Sequence, residues 1–483
     1  MNVFTLIKNL ITKIFSRKKY QYQDLRQHIS LEEEDTKRKD PYFVQIGFDF
    51  GTSYSKCIWR DMMANKAFVY LCSMSEEYEL PFLIPSALVI KDGILSMAEN
   101  PRVQYPENGL YHLKNALVSV ALEQWDDPVL IPFRSALEHY ENRQLNEFVE
   151  SCAVYFLSCA ICDIRKHLRE KMPDFGMLPT DYMAINMAVP VADAERPAVN
   201  SLYQKVLYDA WGLTDRFVGY PKIQISEVDA MRREIKDHED RSGDGACYIY
   251  PEVSANVQGF IRSRVSSPGI YLFSDTGGGS VDQSVFIFIR DAERGDLLTY
   301  LTGNVHSVGS SHIERIAAEC VNDSSCDSLE SWREKKENGE SDKELSIARN
   351  EIAEKLEQCT ESTLASAKKK LINKDQLTKV RLIFAGGGHC DFPYKYGTQR
   401  PFSGGQFPRS IDPDVIGLPI PSDLELSDLG NRWMSRLYVA YGLSFEQNDL
   451  AKFIYPKDVR SPEPEEIWQP HKMPLDFQGK EVT

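Results

Sequence analysis

The sequence predicts an α/β protein made of two related halves, and three observations predict it. A pattern of strand, carboxylate and glycine turn occurs twice, in VQIGFDFGTSYSKCIW (Val44 to Trp59) and in YLFSDTGGGSVDQSVFIF (Tyr271 to Phe288). The register that lays Asp49 on Asp275 also lays Gly51 on Gly277. A third apolar strand, RLIFA (Arg381 to Ala385), runs straight into Gly386, Gly387 and Gly388.

In each copy an apolar strand delivers a lone carboxylate, a turn of small residues follows, and a second apolar strand leaves. Each therefore reads as a β-hairpin with a phosphate-sized notch at its tip. Small residues let backbone N–H groups approach an anion closely, and the carboxylate suits a hydrated Mg²⁺, which prefers oxygen ligands and keeps several waters. A single such turn is usually only a turn, and its Asp often caps local backbone. The ordered set of three is what points to a nucleotide.

At 483 residues the chain is long enough for two or three lobes. Its 42% hydrophobic and 26% charged residues are those of a soluble globular protein. A net charge of −15 argues against a dedicated nucleic-acid binder, which needs a basic face. Ten Cys without paired framework spacing, and no secretory pattern, point to a reducing cytosol. Cys159 and Cys162 form a lone CxxC inside a helical apolar pattern, which reads as core packing.

In chain order, MNVFTLIKNLITKIFSRKK places Val3, Phe4, Ile7, Leu10, Ile11, Ile14 and Phe15 on one helical face, with Lys8, Lys13, Arg17, Lys18 and Lys19 around the rest. Such a helix suits an anionic membrane surface, and equally docking on this protein or on a partner. Residues 21–40 read as a polar linker. LIPSALVIKDGILSM predicts two strands joined at Asp92 and Gly93. Helices are predicted over Leu145 to Lys171 and Ala194 to Ala210, with a buried strand ended by Pro190 between them and a solvent-facing loop over Asp237 to Gly245. Charged helical periodicity fills 312–373; residues 391–421 read as an irregular loop, Asn431 to Glu446 as a closing helix, and the stretch from Lys452 as a disordered tail.

IGFDFGTSYS, SDTGGGSVD and IFAGGG resemble, in order, the first phosphate, second phosphate and adenosine motifs of the actin, hexokinase and heat-shock chaperone ATPase superfamily. GTSYS is most similar to the DnaK-type chaperones. MAVPVADAERPAV, NVHSVGSSHIERI, YPEVSANVQGF and RLYVAYGLSF extend the resemblance over Phe43 to about Phe445. It implies two ribonuclease-H-like lobes around a nucleotide cleft: 41–265 and 266–430, the second carrying the insertion 312–373, with 1–40 as helix and linker, 431–450 as a closing helix returning to the first lobe, and 451–483 as tail.

It also implies ATP and Mg²⁺ in the cleft. Gly51, Thr52, Ser53 and Tyr54 would hold the β- and γ-phosphates, faced by Gly277, Gly278, Gly279 and Ser280, with Gly309 at a further family glycine. Asp49 and Asp275 would contact Mg²⁺ through water or orient the attacking water, and Asp282 repeats a carboxylate of the pattern. Gly386 to Gly388 would lie flat against adenine and ribose. Lys114, in LYHLKNAL, falls where these chaperones place a lysine near the γ-phosphate; against this stands an ordinary helix-surface lysine. The family's Glu-Pro is replaced by Tyr250-Pro251-Glu252, so Glu252 or Glu227 is the candidate acid, and weak or absent hydrolysis is an open outcome.

Fewer than forty residues follow the closing helix. The expectation is therefore a DnaK-like ATPase domain without a peptide-clamping domain, switching contacts with an unidentified protein partner as its lobes close. The alternatives are a filament-forming actin-like ATPase, a non-hydrolysing nucleotide sensor and a small-molecule kinase.

Overall fold

In the computed structural model of the chain, the described residues are 38–72, 80–98, 100, 103–138, 143–190, 196–238, 245–263, 265–291, 293, 295–403, 412–426, 429–430, 433–446 and 449–460. The amphipathic segment 1–19, the linker as far as residue 37, most of the loop 237–245 and the tail beyond 460 lie outside them.

The chain enters as β1 (Phe43–Asp49), β2 (Tyr54–Asp61), β3 (Lys66–Val69) and β4 (Ile84–Pro85). β1 is buried almost throughout, as a strand covered on both sheet faces must be. A hairpin of β5 (Leu88–Lys91) and β6 (Ile94–Met97) follows. Its turn residues Asp92 and Gly93 have φ of 50° and 81°, the positive values a two-residue hairpin loop needs. Then come β7 (Gly109–Leu110), α1 (Leu113–Ala121), α2 (Ile131–Leu137), α3 (Leu145–Lys171) and β8 (Tyr182–Val189). α3 has the bounds its apolar periodicity predicts. The next helix, α4 (Pro197–Leu213), begins later than expected because Pro197, with its fixed φ and absent N–H, starts it. β9 (Ile223–Gln224), α5 (Ile225–His238), β10 (Cys247–Pro251) and α6 (Glu252–Ile261) complete this part.

The second part holds β11 (Gly269–Thr276), β12 (Val281–Asp291) and β13 (Gly295–His306), then the expected helical stretch as α7 (Ser311–Cys320), α8 (Cys326–Glu337) and α9 (Lys343–Lys369). β14 (Arg381–Ala385), α10 (Phe392–Gln399), β15 (Val415–Ile416), β16 (Leu424–Glu425), α11 (Met434–Leu443) and β17 (Lys452–Ile454) finish the described chain.

Two of these elements correct the sequence reading. Residues 391–421 are not wholly irregular: Asp391 accepts a hydrogen bond from Phe392 N at 2.8 Å and Pro393 sits in the first turn, which together start α10. The tail is not disordered from Lys452. Ala451 N donates to Gln258 Oε1 at 3.1 Å and Phe453 packs edge-on to Tyr250, so tertiary contacts hold β17, a strand too short to show a period of two.

The two large sheets have the same plan. The first runs β10-β8-β1-β2-β3-β16 with β4 attached to β2, and the second runs β15-β14-β11-β12-β13-β17. In each, three parallel strands lead to the hairpin strand, two antiparallel pairings follow, and a short last strand lies parallel to its neighbour. A small sheet of β7, β5, β6 and β9 is separate. α6 and α11 cross closely enough that a Cβ on Gly442 would stand 1.7 Å from the Ala255 carbonyl oxygen. A Cβ on Gly47 of β1 would stand 2.2 Å from that of Ala440. Bare backbone at these contacts seats α11 against the first sheet and ties it to the helix leading into the second.

Candidate functional site

Both predicted hairpins form, and their register is equivalent. Asp49 pairs across strands with Lys56, and Asp275 with Asp282. In the first, a Cβ on Gly51 would lie 2.0 Å from the Tyr54 carbonyl oxygen, so the turn admits no side chain there. Asp49 is buried; its Oδ2 accepts from Lys56 Nζ at 2.7 Å and its Oδ1 has no protein partner. Thr52 Oγ1 donates to Asn115 Oδ1 of α1 at 2.9 Å.

The second turn is closed by Gly277 N donating to Ser280 O at 2.9 Å. The start of α7 sits on it: Ser310 N and Ser311 N donate to the carbonyls of Gly277 and Gly278 at 2.9 and 2.8 Å. Gly309 approaches so closely that its Cβ would stand 2.4 Å from Gly278 O. The two turns meet each other. A Cβ on Gly278 would lie 2.2 Å from Ser53 Oγ, and one on Gly279 would lie 2.9 Å from Thr52 Cγ2.

Behind the turns, α1 and α6 bring further charge. Lys114 Nζ pairs with Glu252 Oε2 at 2.5 Å, both nearly buried. One turn further along α6, Asn256 Nδ2 donates to Asp275 Oδ2. Burial alone would lower the Lys114 ammonium, but the carboxylates of Glu252, Asp49 and Asp282 more than reverse this and hold it above the usual lysine range. Asp275 goes the other way: burial first, then the charges of Glu252 and Asp49, raise its carboxyl to about 7, with Lys56 and Lys114 opposing. Asp49 Oδ1, Ser53 Oγ, Asn256 Oδ1 and Thr276 Oγ1 are buried here without protein hydrogen-bond partners. Buried polar atoms are nearly always satisfied, so a patch of orphans on facing turns is the chemistry of a site for a polar ligand.

The third turn joins the same place. Gly386, at φ 81°, would put a Cβ 2.2 Å from Thr276 O and 2.3 Å from Asp275 Oδ1, and that of Gly388 would meet Thr276 Cγ2 at 2.6 Å. These glycines are required by packing on the end of β11. Gly387 lies under the guanidinium of Arg436, which also stands 5.1 Å over the Trp433 ring. Glu227 is exposed on α5, a helix packed on α3, whereas Glu252 lies near enough to Asp275 for its charge to raise that carboxyl. Cys159 and Cys162 lie on α3, where burial pushes both thiols up. Among the described residues no group of three His, Cys, Asp or Glu could hold a metal ion directly.

Sequence reasoning missed Lys56 and Asn256. Both had a signal: Lys56 is the cross-strand neighbour that a two-residue count around the hairpin gives Asp49, and Asn256 follows Glu252 by one helical turn. It also missed the seam beside the turns. Tyr105 OH donates to Glu314 Oε1 at 3.1 Å, Gln104 N to Glu330 Oε2 at 3.1 Å, and Arg315 bonds His112 Nδ1 at 2.8 Å. These bonds join the segment before α1 to α7 and α8. Compared with known proteins, the chain matches no family model and no curated protein.

Proposed function

We propose that this chain binds ATP with Mg²⁺ between its two hairpins and hydrolyses it slowly, as a DnaK-like ATPase of two actin-like lobes whose closure switches contacts with a protein partner. The observation that carries the reading is the convergence of Asp49 and Asp275, from equivalent positions of two sheets of the same plan, on a patch of buried polar atoms without partners. The residues fit the ligand. Backbone amides of the two glycine turns and the hydroxyls of Thr52 and Ser53 would hold phosphate oxygens, for which bare backbone is suited. Asp49 and Asp275 would take Mg²⁺ through its waters, since that ion prefers oxygen ligands and keeps several waters.

Lys114 and Lys56 each neutralise a carboxylate of the cleft and would exchange that partner for phosphate oxygen. A cation so placed stabilises charge developing on the transferred phosphoryl group. Asp275, titrating near neutrality, has the affinity for a proton that a base toward an attacking water requires. Calorimetric titration with ATP and Mg²⁺, on the full chain and on Asp49→Ala and Asp275→Ala, tests the proposal. Micromolar binding lost in both variants supports it; equal binding in all three, or none at millimolar ATP, ends it.

A second reading, a nucleotide sensor without turnover, is favoured by one observation: Glu252, the candidate acid, is engaged in a short ion pair with Lys114 and so is not free to meet an attacking water. Phosphate release by the ATP-saturated protein separates the two. Turnover that persists in Glu252→Gln supports the ATPase with a base other than Glu252; no turnover with intact binding supports the sensor.

A further inference from the structure

One polar residue at the site belongs to neither hairpin. Asn256 lies in the middle of α6, fully buried, on a helix whose Val253, Val257 and Phe260 pack into the core of the second sheet. Asparagine is a poor helix former, and a buried amide costs free energy unless its polar atoms find partners. One end of the amide has a partner: Nδ2 donates to Asp275 Oδ2. The other end, Oδ1, is buried and has no protein partner. An ionised carboxylate can only accept, so the bond to Asp275 fixes which way the amide faces.

The chemistry of the four orphaned atoms limits what can meet them. Ser53 Oγ and Thr276 Oγ1 are hydroxyls and can donate or accept; Asp49 Oδ1 and Asn256 Oδ1 can only accept. A phosphate oxygen is itself an acceptor. A triphosphate can therefore satisfy the hydroxyls and the glycine amides, and it leaves the two pure acceptors unmet. They need donors, and the nearby ammonium groups are engaged elsewhere: Lys56 Nζ on Asp49 Oδ2 at 2.7 Å and Lys114 Nζ on Glu252 Oε2 at 2.5 Å.

A magnesium ion that keeps several of its waters presents O–H donors, polarised by the metal charge. Both pure acceptors belong to groups that act on Asp275, Asp49 through its charge and Asn256 through the hydrogen bond. The spacing on α6 gives the helix two tasks, one turn apart: Glu252 takes the lysine, and Asn256 takes Asp275.

We propose that Asn256 is a positioning residue for the cation: its N–H holds the Asp275 carboxylate, and its Oδ1 accepts a hydrogen from a water of Mg²⁺ alongside Asp49. This rests on the nucleotide reading and deepens it, since it assigns the metal's water shell a partner on α6 that is neither a carboxylate nor part of a glycine turn.

Calorimetric titration of the full chain with ATP at pH 8, once with Mg²⁺ and once in EDTA, tests this. Asn256→Leu, similar in shape and without the acceptor, should weaken binding with Mg²⁺ by about tenfold to a hundredfold, the usual cost of losing an outer contact to a metal site. In EDTA its binding should equal that of the unaltered chain. Asn256→Asp keeps an acceptor; it should retain most of the Mg²⁺-dependent affinity and bind metal-free ATP more weakly, because its added charge is offset only by the cation. A Leu variant that weakens equally in both conditions, as a residue that merely holds the fold would, overturns the proposal. So does one that changes in neither, which would mark an amide satisfied by a fixed buried water, and so does an Asp variant that binds no better with Mg²⁺ than the Leu variant. An unaltered chain that binds ATP equally with and without Mg²⁺ ends this inference alone; one that binds no ATP in either condition ends the nucleotide reading as well.

Discussion

The two hairpins share a register and differ in charge. Where the first sets Lys56 opposite Asp49, the second sets Asp282 opposite Asp275. The first aspartate is consequently neutralised from its own hairpin, at 2.7 Å. The second is not: it leans on Asn256 of α6, and its carboxyl titrates near 7. Their glycines differ as well. Gly51 is locked by the Tyr54 carbonyl, while the nearest atom to a Cβ on Gly277 is Ser280 O at ordinary contact distance, 3.5 Å. One hairpin meets the charge of its aspartate with its own lysine; the other sets a second carboxylate, Asp282, across from its aspartate.

The largest effect that would break this contrast is at the glycines. Gly51→Ala puts a Cβ 2.0 Å from the Tyr54 carbonyl oxygen and should destabilise the chain by about 3 kcal/mol or more, among the severe single substitutions. Gly277→Ala should stay within about 0.5 kcal/mol, as surface changes do. Thermal melts of the two variants are the check. Equal losses would mean that the turns are equally constrained.

Next comes the ion pair between α1 and α6. Lys114→Ala leaves Glu252 buried without its cation and should cost about 3 kcal/mol, the range for breaking a buried pair. Removing both, in Lys114→Ala/Glu252→Ala, should recover part of that loss. A double-mutant cycle in denaturant measures it, and additive losses would show that the two charges do not need each other.

A smaller effect separates the aspartates by pH. A carboxyl raised in the folded state contributes stability that is complete below its unfolded value and is lost as pH rises through the folded value, here about 7. Asp275→Asn should therefore raise the melting temperature of the ligand-free chain by about 2–4 °C at pH 8 and change it little at pH 4, while abolishing the response to ATP and Mg²⁺. Asp49→Asn should lower it at pH 8, since Lys56 then loses its partner.

Much of this contrast was written in the residues, and part was not. The hairpins, the bounds of α3, the Asp92-Gly93 turn and the helical stretch between β13 and β14 follow from period, glycine and charge, which act over neighbours in the chain. β16 and β17 do not: two or three residues carry no period, and parallel edge pairing is a tertiary event. The doubled hairpin pointed to two related halves, but these short edge strands of the two sheets stayed hidden. At the site, the aspartates were legible because they precede glycine turns. The Lys114 to Glu252 pair joins residues 138 apart in the chain, so no local pattern could report it.

The smallest effect is also the most pointed, because it asks whether the two halves share one field. Lys56 belongs to the first hairpin, yet its charge acts to lower the carboxyl of Asp275 in the second. Lys56→Gln should therefore move Asp275 to a higher titration midpoint, followed by NMR of its side-chain carboxyl carbon, and Lys56→Arg should leave it nearly unmoved. The shift should shrink in high salt, since Lys56 is partly open to solvent, at 17% side-chain exposure. An Asp275 midpoint that ignores both substitutions would mean that the hairpins are electrically separate. The asymmetry between them would then be an accident of sequence rather than a division of labour between the two turns.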